Sequence, residues 1–188
     1  MVQGIDLLTA GAEDRIITMN ESLHMRLATP SDYAAIEQIE NASDQLLVDR
    51  LRPLTWEQAP TGGSRAAESG YILVAEATKG SGVIAFIHVL EHDQSAHLEQ
   101  LSVLPAHGRR GHGRALVEAA KSEARNRGYQ SLSLRTYADV PWNAPFYASA
   151  GFVETKPATE FHKRIAEVEE RLGLGRYGRR IQMTAPLL

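Results

Sequence analysis

The stretch Leu101-Ser-Val-Leu-Pro-Ala-His-Gly-Arg-Arg-Gly-His-Gly-Arg-Ala-Leu116 holds the residues best suited to chemistry. Gly108, Gly111 and Gly113 alternate there with Arg109, Arg110 and Arg114. Glycine lets a chain turn sharply and come close to a ligand. Arginine offers a planar fork of donors that fits phosphate oxygens. The stretch starts as a strand and ends as a helix, so the turn lies at a helix N-terminus. Unpaired amides and a partial positive charge favour an anion at such a place. The amides from Arg109 to Arg114 are therefore expected to cradle a diphosphate, His112 acting as a backbone donor. A Walker loop is excluded because no Lys-Ser/Thr follows the glycines, and a dinucleotide fingerprint because the third glycine is absent. An ordinary strand-to-helix turn with solvated arginines has the same composition, so the turn alone decides nothing.

A second block, Trp142-Asn-Ala-Pro-Phe-Tyr-Ala-Ser-Ala-Gly-Phe152, follows in order. Together the two blocks resemble the GCN5-related N-acetyltransferase (GNAT) family, which moves an acyl group from acyl-coenzyme A to an amine. Arg110-Gly-His-Gly113 matches the end of that family's pyrophosphate loop. Asn143, Phe146, Tyr147, Gly151 and Phe152 match its Asn-x-x-(Phe)-Tyr-x-x-x-Gly-Phe block. The loop's leading Gln/Arg position is Gly108 here, so that contact is missing or falls to Arg109. The resemblance is specific over roughly residues 96–153 and looser over 25–90.

The resemblance implies an acyl-coenzyme A-dependent N-acyltransferase, with acetyl-CoA as cosubstrate and a small-molecule primary amine as acceptor. It also implies a possible homodimer. Leu101, Ser102 and Val103 would hold the pantetheine arm, the Val103 N–H facing the thioester oxygen. Asn143 would touch the pantetheine amides, and Tyr147 would donate to the coenzyme sulfur as general acid. A non-catalytic acyl-CoA-binding module, or an enzyme for a protein lysine or N-terminal amine, would carry the same blocks.

Acylation of an amine first requires loss of a proton, because an alkyl ammonium has a pKa of about 10. Along the strand Ala96–Leu104, strict alternation would put His97, Glu99, Leu101 and Val103 on one face. His97 and Glu99 are thus the candidate bases. Glu99 is favoured, because a carboxylate stays ionised and attracts a cationic amine. Each residue also has a plain structural reading: either base candidate as an ordinary strand residue, Asn143 as a cap, Tyr147 as packing.

The elements that position these residues follow from periodicity. Strands are expected over Ser22–Ala28, Tyr71–Ala77, Gly82–Leu90, Ala96–Leu104, Ser131–Thr136, from Phe152 and over Arg179–Ala185. Thr29-Pro-Ser-Asp32 reads as a helix start, followed by two helical segments that end before Pro53. Residues 53–70 read as a long loop containing Trp56. Helices are expected over Gly111–Arg127 and, with Phe161, Ile165, Val168 and Leu172 inward, over Glu160–Leu172. The charged face of that last helix, like Glu40, Asp44 and Asp49, reads as solvated. The expected fold is an α/β domain, residues 22–188, with a mixed, twisted and splayed β-sheet flanked by helices on both faces. Residues 1–21 form an N-terminal extension.

Composition narrows the class. The 188 residues carry 20 Lys and Arg against 23 Asp and Glu, a net charge of −3 that argues against general nucleic-acid binding. Cysteine is absent from the sequence, which excludes a disulfide framework and thiolate chemistry. No metal is expected. Neither a membrane span nor a signal peptide is visible, and a cytoplasmic location is expected.

Overall fold

The computed structural model describes residues 23–187. In chain order they form β1 (His24–Leu27), α1 (Tyr33–Leu51), α2 (Gly62–Ala66), β2 (Gly70–Glu76), β3 (Val83–His92), β4 (Ser95–Val103) and α3 (His112–Asn126). Then come β5 (Ser131–Tyr137), α4 (Ala144–Ser149), β6 (Val153–Thr155), α5 (Glu160–Arg171) and β7 (Arg180–Pro186). The extension expected over 1–21 lies outside the described residues. No helix among the described residues is long and apolar enough to cross a membrane.

The strands form one sheet in the order β1-β2-β3-β4-β5-β7-β6. Every pairing is antiparallel except β4 with β5, which the crossover through α3 makes parallel. The sheet is mixed, as its sequence pattern predicts. Leu116, Val117, Ala120 and Ala124 of α3 are fully buried against Leu98, Leu132 and Leu134. On the opposite face Ile36 and Ile39 of α1 pack on Ile72, Val74 and Phe86. The sheet is thus covered on both sides, α1, α2 and α5 on one face and α3 and α4 on the other.

Two irregularities shape the site. Pairing between β4 and β5 covers only Ala96↔Leu132, His97↔Ser133 and Leu98↔Leu134. Beyond it β4 follows β3 and β5 follows β7, so the two strands part and leave a notch. The second is a β-bulge: Val89 pairs with Leu98 and His88 with Gln100, leaving Glu99 as the extra residue. A bulge breaks the two-residue alternation. The expectation that His97, Glu99, Leu101 and Val103 share a face is therefore corrected. His97 and Glu99 lie toward α1 and α5, whereas Leu101 and Val103 pack toward α3.

Three other expectations change. The two helical segments before Pro53 are one continuous α1 of 19 residues. In its polar middle Asn41 Nδ2 and Ser43 Oγ donate to the carbonyls of Glu37 and Glu40. Arg52, in the left-handed region at φ 49°, ends it. The long loop holds α2, whose first turn is capped where the Ser64 N–H donates to Thr61 Oγ1 at 3.1 Å. The inner face of α5 keeps only half of the expected apolar stripe, Phe161 and Ile165. Val168 and Leu172 are exposed, while His162 and Glu169 are buried.

Candidate active site

After Val103 a 3-10 turn over Pro105–His107 leads to two left-handed residues, Arg109 at φ 58° and Gly111 at φ 86°. Gly111 accepts the Ala115 N–H at 3.0 Å, so α3 begins at His112, close to the expected position. The amides of His112, Gly113 and Arg114 lie in that first turn, where helices leave N–H groups unpaired. A Cβ on Gly113 would sit 3.6 Å from Phe146 and 3.8 Å from Leu101 and Val103, which is ordinary contact. The fold itself does not require glycine there; close approach of a ligand would. Arg109 and Arg110 are exposed. Burial lowers the pKa of His112, helped by His107 and Arg110, which keeps its ring neutral.

Arg114 does not join the two exposed arginines. Its guanidinium donates to the Ser149 carbonyl at 2.6 Å and to Ser149 Oγ at 2.7 Å, and lies near the Phe146 ring. It clamps α4 onto the first turn of α3.

The Leu104 N–H donates to the Ile84 carbonyl on β3 at 2.9 Å. Amide direction alternates along a strand, so the Val103 and Leu101 N–H groups point away from β3, into the notch. Ser102 does not face the notch. It is fully buried on the α1 side, where its Oγ accepts from Gln100 Nε2 at 2.9 Å. Across the notch, Asn143 stands at the N-terminus of α4 without a side-chain capping bond, which leaves its amide available. Its carbonyl accepts the Tyr147 N–H. The Tyr147 ring packs edge-on against Phe146 and Phe152. Burial raises its pKa, so the hydroxyl stays protonated.

The two candidate bases have different surroundings. His97 is 1% exposed. Its Nδ1 lies 2.9 Å from Ser133 Oγ, which lies 2.9 Å from His162 Nε2 and 3.2 Å from the Ala96 carbonyl. Burial pushes the His97 pKa down to about 3, so it is a neutral, sealed imidazole. Glu99 is exposed at the bulge, its Oε2 4.0 Å from His97 Nε2. Desolvation by the surrounding protein raises its pKa against the pull of Arg65. Glu99 can meet a ligand directly; His97 meets one only through Glu99.

Residues 68–154 match a family model described as an acetyltransferase (GNAT) domain. Residues 68–154 carry a GNAT domain. Solved structures share its fold. The ribosomal-protein-S18-alanine N-acetyltransferase from Escherichia coli aligns with a TM-score of 0.61 at 23% identity, over 88% of this chain and 94% of that one. Rv2747 from Mycobacterium tuberculosis, in complex with CoA and NLQ, aligns at 0.62 and 22%, over 88% and 99%. The PaiA N-acetyltransferase from Thermoplasma acidophilum, in complex with coenzyme A, aligns at 0.60 and 15%, again over 88% and 99%.

The α1 side of the sheet carries charges that local spacing does not connect. Glu40 is buried, not solvated: its carboxylate takes Arg65 Nε at 2.9 Å and a second, very short bond from Arg65 Nη2. Arg65 Nη1 lies 3.3 Å from His88 Nδ1. Arginine has no acceptor, so His88 Nδ1 accepts and its proton is on Nε2. Burial, with Arg65, pushes the His88 pKa down to about 4. Asp44 accepts the Trp56 indole N–H at 3.1 Å, and Asn41 Oδ1 accepts the Ala59 N–H at 2.9 Å. The loop is thereby tied down on α1. Asp49 is exposed and bonded only to Gln45.

Proposed function

We propose that this GNAT domain transfers the acetyl group of acetyl-CoA to a primary amine of a small molecule. The observation that carries the reading is the continuity of the notch. It opens beside Glu99, is edged by the Leu101 and Val103 amides, and ends at the amides of α3. The α3 amides, with Arg109 and Arg110, hold the pyrophosphate. The Val103 N–H holds the thioester carbonyl and stabilises the charge that develops on its oxygen. Glu99, directly or through one water, takes a proton from the ammonium, freeing the lone pair that attacks the carbonyl carbon. As the C–N bond forms and the C–S bond breaks, the Tyr147 hydroxyl gives its proton to the departing thiolate, and the second proton lost by the nitrogen as the amide forms returns through water to the Tyr147 oxygen. Asn143 orients the arm.

The walls favour a small acceptor. The loop tied to Asp44 and Asn41 closes one side and α5, tied down by His162 and Glu169, closes the other. Calorimetry with acetyl-CoA and thiol release with a panel of small amines and of peptides test the reading. Heat with acetyl-CoA and thiol release with a small amine are expected. No heat overturns the coenzyme reading, binding with no turnover overturns the transferase, and turnover of peptides alone overturns the small acceptor.

A further inference from the structure

The acceptor face carries more positive charge than its internal pairing uses. Arg135 of β5 and Arg180 of β7 share one carboxylate, Glu169 of α5. Arg135 Nε donates to Oε2 at 2.7 Å, and Arg180 Nη2 makes a very short bond to Oε1. The Arg135 and Glu169 side chains are 9% and 10% exposed, and that of Arg180 17%. Two cations against one anion leave an excess positive charge in a nearly dry place, which is costly without a partner.

The donor count agrees. Each guanidinium carries five N–H donors. Among the described residues, Arg135 makes no hydrogen bond beyond its Nε and Arg180 none beyond its Nη2. Arg180 Nε is buried without a partner. The Arg180 guanidinium lies 4.4 Å over the Tyr137 ring, which fixes its plane.

Position makes the excess meaningful. Arg135 is the first β5 residue past Leu134, where the notch opens, and Glu99 is the first β4 residue past Leu98. Glu99 feels the charges of both Glu169 and Arg180. Arg180 pairs with Tyr137 at the end of β5. With Glu169, Gly173 and Gly178 it lines an open groove of about 470 Å³. The opposite wall has the other sign. Glu40 is neutralised by Arg65, while the Asp44 carboxylate, among the described residues, is bonded only to an indole. A ligand bridging these walls needs a cation near Glu99 and an anion near the arginines.

We propose that Arg135 and Arg180 form the subsite for a carboxylate carried by the acceptor, so that the amine offered to Glu99 belongs to an amino acid. The proposal rests on the reading of the Glu99 face as the acceptor site. Coenzyme A-loaded protein is titrated calorimetrically with the twenty α-amino acids, β-alanine and 4-aminobutyrate, each beside its carboxamide. The same pairs are assayed for thiol release from acetyl-CoA.

At least one acid is expected to bind and to exceed its amide in kcat/KM by about 30-fold or more, the loss typical of an unpaired buried donor set. Arg180→Gln raises KM for the acid and erases the preference; Arg180→Lys restores part of it. Glu169→Gln, which removes the internal rival for both guanidinia, lowers that KM. A cluster with a structural role alone would lose thermal stability in these variants and tighten nothing. The proposal falls if no acid binds the loaded protein, if amides match acids, or if Glu169→Gln weakens acid binding while coenzyme binding persists. Turnover of uncharged amines alone sinks this inference and keeps the acetyltransferase. Acid binding without any thiol release does the reverse.

Discussion

Glu99 and Tyr147 have pKa values displaced in the same direction, and the displacements suit opposite tasks. Desolvation raises Glu99, which makes its carboxylate a better proton acceptor once ionised. Burial raises Tyr147, which keeps its proton in place, as the proposed general acid requires. An acid with a raised pKa ionises later as pH climbs. The acidic limb of kcat/KM is therefore expected above the ordinary glutamate value of about 4.3. Glu99→Gln removes that limb and lowers kcat by about 10²–10⁴. A limb unchanged in the variant would place the base elsewhere. Tyr147→Phe is expected to cut kcat by at least about tenfold while the calorimetric Kd for acetyl-CoA stays within about threefold, since a hydroxyl used only as the thiolate leaves serves the transition state alone. Equal losses in both quantities would make Tyr147 a binding residue.

The helix start and the bulge are the two elements that make a site of a sheet. At the helix start, Gly113 sits in helical backbone with room for a methyl group. Gly113→Ala should therefore stabilise the free protein, by up to about 1 kcal/mol of helix propensity, and raise its melting temperature. In the proposed site the same methyl group stands where the diphosphate would approach, so the affinity for acetyl-CoA should fall at least about tenfold. An alanine variant that gains stability and keeps its affinity would move the diphosphate away from this turn. The turn was readable in the sequence because glycine and arginine carry their meaning locally, and the α4 block for the same reason. The bulge at Glu99 was not. One extra residue is set by the pairing partner on β3, and alternation along β4 alone cannot reveal it. The Glu40–Arg65 pair and the Glu169 cluster stayed hidden because their members come from segments far apart in the chain. On α5, a plausible apolar stripe concealed the polar one at His162 and Glu169 that the sheet buries.

At the scale of the whole molecule, the acceptor wall depends on how firmly α1 is held to the edge of the sheet. Arg26 of β1 ties three elements together. It donates to Asp32 through both terminal nitrogens, at 2.7 and 2.9 Å, and to Glu76 of β2 at 2.7 Å. Asp32 in turn accepts the Thr29 N–H at 2.7 Å, as the acid of a capping box does, and Glu76 accepts the Gly80 N–H. Arg26 is the largest cause holding the Asp32 carboxyl far below its ordinary range. For a depressed acid the stabilisation is complete above the unfolded pKa, about 3.9, and fades as pH falls toward the folded value. Stability should thus decline below about pH 4, β1 and the first turn of α1 losing amide protection early. Asp32→Asn keeps the shape and removes the charge. It should cost about 2 kcal/mol near pH 7, the value of a charge-assisted pair, and flatten the acid dependence of the melting temperature. Because α1 carries Glu40 and Asp44, the proposed site predicts that the same variant weakens acceptor binding while leaving the affinity for coenzyme A, assigned there to α3 on the other face, unaltered. If calorimetry found both ligands weakened together, the two faces of the sheet would be coupled, and the division of labour between α1 and α3 would fail.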